Sequence, residues 1–385
     1  MATFKQYTKK DGTTAWQYQT YLGVDEKTGK RKATTHRGFK SKKEAQIHLN
    51  LYLADYERGE LEKSPKMTFQ ELYTLYLESY QLQVKTSTLA NTKRGFRTQI
   101  LPVLSERYIE KITVSDCQKI VNSWNEKYKA VKYYRSLVRK VFNFAVRMEL
   151  LENNPMEKTI LPRKKVVEKV DNFYDRQQLK EFFVCVDDYV RTHNRVDMKC
   201  LVFFRLLAFT GMRKSEVLAL KWSDFRLLTS EISVSKTLAM GENYEILVQT
   251  PKTSSSYRTI KLDDETVSIL KKWRAEQMKT YFLLGFNLNS PDNLIFSTYK
   301  NTPMFPTQPS RWLEKILKQY QLPKITLHGF RHTHATLLLE GGASIKEVQE
   351  RLGHGSAVTT MEIYAHLTTE KADKTAENFA RYVNL

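Results

Sequence analysis

The side chains able to do chemistry in this 385-residue sequence fall in short segments far apart along the chain. Thr210-Gly211-Met212-Arg213-Lys214-Ser215-Glu216 offers a fixed cation followed by an acid. His328-Gly329-Phe330-Arg331-His332-Thr333-His334 sets a second arginine among imidazoles, and Leu352-Gly353-His354 supplies another. Of the eight histidines, five lie between His328 and His366. This set suits phosphate. A phosphodiester carries one negative charge and gains more in its pentavalent transition state. Arginine presents a rigid fork that bonds two non-bridging oxygens and stays charged at any working pH. Two arginines on one phosphate can replace the metal ion other nucleases use. Each charge-assisted hydrogen bond contributes roughly 1.5–3 kcal/mol, and more where it strengthens in the transition state. An imidazole with the ordinary pKa of ~6.5 can help move a proton at neutral pH.

Other chemistries fit less well. His328 and His332, at i and i+4, could bind zinc on one helix face. Against this, Gly329 intervenes, no HExxH glutamate is present, and no nearby cysteine closes a site. There is no GxxxxGKS/T phosphate loop and no GxGxxG, nor any acidic grouping of the two-metal nuclease kind. The expectation is an activity without cofactor, ATP or metal. Composition narrows the partner. With 62 Lys+Arg against 42 Asp+Glu, the formal net charge is +20, which points to a polyanion. An anionic membrane is the weaker choice, for the sequence reads without a basic amphipathic anchor or lipidation motif and no signal peptide is expected. The most apolar stretch, Leu201–Met212, is short and broken by Arg205, read as a solvated arginine. Three cysteines fit neither a disulfide framework nor a zinc site, so a reducing cytoplasm is expected.

These motifs carry a resemblance. The Thr210–Glu216 segment resembles the first arginine box of the tyrosine recombinases, the phage-type integrase family. His328–Thr336 resembles its HxxR box. Leu352-Gly353-His354, with Tyr364-Ala365-His366 ten residues on, resembles the box that ends in the nucleophilic tyrosine. The resemblance covers the whole chain, in order. It implies that Tyr364 attacks the scissile phosphate, forming a 3′-phosphotyrosine and releasing a 5′-hydroxyl, with the bond stored in the enzyme so that resealing needs no ATP. It implies that Arg213 and Arg331 clamp the phosphate, that His328 and His354 bond it and help move the tyrosine proton, and that Glu216 supports the site. Lys252, on a hairpin between strands, would be the general acid for the leaving oxygen, with Lys236 and Lys261 in the same region. His332 and His334 would be structural. Alternatives are a chromosome-dimer resolvase of the same family, a type IB topoisomerase, and a catalytically silent DNA-binding regulator.

The elements that must position these residues read as three domains: 1–65, an arm-type DNA-binding domain of a small β-sheet plus a helix; 66–160, an all-α bundle for core-site DNA; and 170–385, a mixed, mainly α catalytic domain with a small β-sheet and a C-terminal tail. Linkers fall at Ser64-Pro65 and around Pro162. The segment from Lys66 to Lys165 is the most basic, with 19 basic and 9 acidic residues; there Lys93, Arg94, Arg135 and Arg139 are the candidate DNA contacts. In the strand Thr14–Val24, alternation puts Trp16, Tyr18 and Thr20 on one face and Gln17, Gln19 and Tyr21 on the other. The second set, with Arg31, Thr35 and Arg37, is expected to face DNA, where Gln and Arg read base edges. Ser41 is expected to cap a helix in a box with Glu44. The expected partners are double-stranded DNA with core-type and arm-type sites, three further protomers in a homotetramer, and an accessory DNA-bending or directionality factor. The tail after Tyr364 is expected to dock on a neighbouring protomer.

Overall fold

The computed structural model describes residues 2–9, 13–24, 31–57, 67–162, 172–193, 198–251, 253–287, 290–356 and 361, without the side chains of Val24, Arg31, Lys32, Asp55 and Glu57. Lys252, Tyr364, the side chain of Arg31, the Ser64-Pro65 linker and the C-terminal tail lie outside the described residues. The chain divides into two compact units, Met1–Leu82 with Gly95–Pro162, and Gln83–Arg94 with Arg163–Leu385.

The first unit begins with strands β1 (Thr3–Thr8), β2 (Thr14–Val24) and β3 (Arg31–Phe39), antiparallel in that order. Helix α1 (Lys42–Glu57) covers one face. Tyr18 is fully buried against Ala45 and Leu49 of that helix, and its hydroxyl lies 2.8 Å from His48 Nδ1. The alternation gives the expected faces: Tyr18 and Thr20 are buried, while Gln19, Tyr21, Thr35 and Arg37 are exposed. Register sets Gln17 opposite Arg37 and Gln19 opposite Thr35. Ser41 Oγ accepts the Glu44 backbone N–H, but the Glu44 carboxylate takes the N–H of Lys40.

The unit continues with a bundle containing α2 (Phe69–Gln81), a π-helical turn (Phe96–Ile100), α4 (Leu101–Leu104), α5 (Val114–Lys127) and α6 (Val131–Arg147). Thr68 and Thr113 start α2 and α5 through capping boxes with Glu71 and Asp116. The π turn has a local cause. Pro102 lacks an N–H, and the hydrogen bonding slips so that Leu101 N–H reaches Phe96 O. Helix α3 (Thr86–Gly95) precedes this turn. Most of it clusters with the second unit, where Lys85 Nζ donates to the carbonyls of Thr250 and Pro251.

The second unit is built around α8 (Lys199–Thr210), apolar all round and buried along nearly its whole length. Packed with it are α7 (Arg176–Thr192), α10 (Asp264–Leu283), α11 (Gln308–Gln319) and α12 (Gly329–Glu340), with the short α9 (Lys214–Leu218) and α13 (Ile345–Leu352). Arg205 departs from the sequence reading. It is 8% exposed, bonds Thr266 Oγ1 and Asp263 Oδ1, and stacks on Phe209 with 3.4 Å from guanidinium carbon to ring centre. The packing around α8 covers most of the guanidinium, and it pairs with the half-exposed Asp263 and the exposed Glu265. No helix among the described residues is long and apolar enough to cross a membrane.

The strand region also differs from expectation. The stretch Glu231–Leu238 reads as one strand, but it breaks at Ser235-Lys236 into β5 (Glu231–Val234) and β6 (Thr237–Met240). With β4 (Phe225–Arg226) and β8 (Arg258–Lys261), β5 forms one sheet in the order β4-β5-β8. The other sheet pairs β6 with β7 (Ile246–Gln249). The strands flanking Lys252 therefore do not form one hairpin. The 3-10 turn Ser254–Ser256 separates them, and each pairs with a different partner.

Candidate active site

The site grows from the C-terminus of α8. Gly211 ends that helix in the left-handed region at φ +64°, and Arg213 then starts α9. The Arg213 backbone N–H donates to Glu216 Oε2 at 2.9 Å, and its Nη1 donates to Glu216 Oε1 at 2.8 Å. Glu216 is thus a helix cap and an arginine anchor at once. It is only 4% exposed, whereas the Arg213 side chain is 39% exposed. The glutamate is hidden beneath and its arginine reaches the surface. Arg213 and His328 both line an open cavity of about 580 Å³, with Lys214, Ser215 and Lys324 nearby.

Arg331, in the first turn of α12, is 2% exposed. Its Nη1 donates to Gly211 O at 2.7 Å and its Nη2 to Leu352 O at 2.8 Å. One guanidinium therefore ties the first arginine segment to the segment that carries His354. His328 packs edge-on to His332, ring centres 4.8 Å apart. His354 follows Gly353, which ends α13 at φ +70°. A side chain on Gly353 would meet Ser255 O at 2.8 Å. The segment three residues beyond Lys252 thus lies against the His354 turn.

Arg213, His328, Arg331 and His354 act on one another electrostatically. Burial pushes His328 down to about 4, aided by His332, Arg331 and Arg213. Burial with Arg331 and Arg213 pushes His354 down to about 4. Arg331 falls to about 9 through burial and the Arg213 and Arg258 charges, and still stays cationic at neutral pH. Burial raises the Glu216 carboxyl, but Arg258 and Arg213 more than offset this and hold it below its ordinary range. Burial first, and the arginine charges second, keep the imidazoles of His328 and His354 neutral.

A pH effect on stability follows. Above ~6.5, the imidazoles are neutral whether the chain is folded or not. Below it the unfolded chain takes up protons that folded His328 and His354 resist down to about 4. Stability should be full above ~6.5 and fall as pH drops from there towards 4. Melting temperatures of the DNA-free protein across this range should show the slope, and it should flatten in a His328→Asn/His354→Asn variant. An equal slope in both proteins would mean these rings protonate freely in the folded state.

Sequence reasoning missed the network beneath. His334 Nδ1 lies 2.8 Å from Ala208 O, and Arg351 Nε donates to His334 Nε2 at 3.0 Å. A carbonyl can only accept and a guanidinium only donate. His334 is therefore neutral with its proton on Nδ1, consistent with a pKa pushed by burial to about 3. Gly211 sits under this ring. An added Cβ would lie 2.4 Å from Leu352 Cδ2 and 2.7 Å from His334 Cδ2. Gly211→Ala should cost about 2–4 kcal/mol through the left-handed backbone and the overlap. Urea unfolding would measure it, and a loss below ~0.5 kcal/mol would mean the turn relaxes freely.

The description of the phage integrase family matches residues 173–371, more than half of the chain. The chain belongs to the phage integrase family. The integrase also matches the family's N-terminal SAM-like domain over residues 68–125 and an arm DNA-binding domain over residues 4–55. It is 29% identical to the ICEBs1 integrase of Bacillus subtilis (strain 168), over 94% of this chain and 96% of that protein. It is 23% identical to the transposase from transposon Tn916 of Enterococcus faecalis, over 80% and 76%. Its fold is similar to that of the Tn1549 transposon integrase in complex with a circular intermediate DNA, with a TM-score of 0.67, 23% identity, and coverage of 82% of this chain and 100% of that one. A lambda integrase tetramer bound to a Holliday junction gives a TM-score of 0.56 at 17% identity, over 93% and 94%. The integrase is a tyrosine recombinase that carries out site-specific DNA recombination, and its activity is DNA strand transfer.

The remaining candidates are placed as follows. Lys93 Nζ bonds Glu242 Oε2 at 2.8 Å, and Arg94 lies over the Tyr244 ring. Arg135 donates to the carbonyls of Met156, Glu157 and Thr159, and Arg139 forks onto the Glu157 carboxylate. Among the lysines near the strands, Lys236 is bound by both Asp224 oxygens at 2.6 Å. Among the described residues, no three His, Cys, Asp or Glu side chains gather as metal ligands would.

Proposed function

We propose that the integrase cuts DNA by attack of the Tyr364 oxygen on a phosphorus held by Arg213 and Arg331, with integration and excision of a mobile element as its task. The P–O5′ bond breaks as the Tyr–O–P bond forms. The phenol proton leaves through His328 or His354, whose imidazoles are neutral in the DNA-free protein and gain basicity once the negative phosphate lies beside them. Lys252 gives a proton to the departing 5′-oxygen. Of its two rivals, Lys236 and Lys261, the first is committed to Asp224, which supports Lys252 over Lys236. Positive charge comes from the two guanidiniums, and the reaction runs without ATP or metal. The observation that carries this reading is the meeting of Arg213, His328, Arg331 and His354 around one spot, from three distant segments, with Glu216 buried behind Arg213.

The three-domain reading assigns residues 1–65 to arm-type sites, 66–160 and 170–385 to the core site, and a homotetramer to the reaction on DNA in the host cytoplasm, with an accessory factor setting direction. The face of Gln17, Gln19, Tyr21 and Arg37 is the base-reading surface of the first domain. Full-length protein should form a covalent adduct on nicked core-site DNA and recombine two attachment-site plasmids, both at undiminished rates in EDTA and without nucleotide. Loss of activity in EDTA would overturn the metal-free account. Relaxation of plasmids without recombination would favour the topoisomerase.

A further inference from the structure

Arg258 belongs to none of the segments that resemble the family's boxes, yet it joins two of them. It opens β8 with its side chain 6% exposed. Nη2 donates to Glu216 Oε2 at 2.9 Å, beside the oxygen that holds Arg213. Nε donates to Arg351 O at 2.8 Å, and Nη1 to Ser256 O at 3.2 Å. Its three acceptors therefore sit in the α9 turn, the end of α13 and the turn after Lys252. Its chain also packs under Gly353, where an added Cβ would come within 3.2 Å of Arg258 Cδ.

We propose that Arg258 is a positioning residue for strand cleavage: through Glu216 it fixes the reach of Arg213, and through Arg351 O it fixes the turn that presents His354. This rests on reading Arg213 and His354 as phosphate ligands. Glu216 has four lone-pair directions and must hold Arg213 without drawing it off the phosphate. With Arg258 taking part of the carboxylate, Arg213 receives one side-chain bond and keeps the rest of its fork for the phosphate. Stability alone does not require a charge here, since well-packed apolar residues can replace a buried ion pair with no net loss.

The test uses full-length protein and nicked core-site DNA, reading adduct formation in a single turnover, DNA affinity and the pH profile of the rate. Arg258→Met should bind DNA as the parent does and cleave on the order of 100-fold more slowly. Arg258→Lys should recover part of the rate, for it restores a charge beside Glu216 but cannot span the acceptors. The pH profile separates positioning from packing. Glu216 faces Arg213 from its own turn, Arg258 from β8 and Arg331 from α12. Without Arg258, burial is less offset and the carboxylate protonates at higher pH. The acid limb of the rate should move towards neutrality in Arg258→Met, and that component should vanish in Arg258→Met/Glu216→Gln. A parental rate in Arg258→Met, or a slow rate with an unmoved limb, overturns the proposal. If Arg258→Met does not fold, a parental rate in Arg258→Lys overturns it. A parent that forms no adduct would instead overturn the reading of Tyr364, so the two failures are distinct.

Discussion

Tyr364→Phe should bind core-site DNA with the parent's affinity and form no covalent adduct. The substitution removes one hydroxyl and leaves the +20 net charge of the chain intact. Most of the affinity comes from phosphate contacts, whose salt dependence, ~0.9 log units of affinity per neutralised phosphate per log unit of salt, should be unchanged. Only the nucleophile is lost, and Arg213, His328, Arg331 and His354 make no stable phosphodiester link. Denaturing gels of protein with nicked DNA would show this. A persistent adduct in the variant would place the nucleophile elsewhere.

Arg331→Ala should lose activity and stability together, whereas Arg213→Ala should lose activity with much less stability. Removing ~4 kcal/mol of transition-state stabilisation slows cleavage about a thousandfold in either case. The difference lies in what each guanidinium holds. Arg331 is buried, and its two bonds satisfy the carbonyls of Gly211 and Leu352. Truncation leaves both carbonyls without that partner, at about 3–5 kcal/mol. Arg213 reaches the surface, and Glu216 would keep its bond from Arg258. Arg331→Lys should not rescue, since an ammonium cannot reach two carbonyls and a phosphate from one fork. Single-turnover cleavage beside urea unfolding tests the pair. Equal stability losses for both alanines would mean that the carbonyl bonds of Arg331 do not hold the segments together.

The sequence by itself determined the family. The arginine and histidine segments stand in the order and spacing of the tyrosine recombinase boxes, and a linear motif survives any uncertainty about how the chain folds. Local structure was legible wherever a short-range rule decides it. The period of two in β2 separates buried Tyr18 and Thr20 from exposed Gln19 and Tyr21. The sequence reads as helical over Asp175–Tyr189, Met198–Phe209, Phe330–Glu340 and Ile345–Leu352, and α7, α8, α12 and α13 match these bounds to within a few residues. Tertiary structure decided what depends on partners distant in sequence. Arg205 reads as a solvated charge because nothing near it in sequence says that α8 is enclosed on every side. The strands beside Lys252 read as a hairpin because adjacency is the default, but β8 pairs back to β5 across the β6–β7 ribbon. Arg258 and Arg351 lie outside the motifs, and His334 reads within its box only as a structural residue. Their importance lies in bonds spanning 42, 17 and 126 positions. Such bonds form only once burial has removed water as the competing partner, a condition the whole fold creates and no local window of sequence contains.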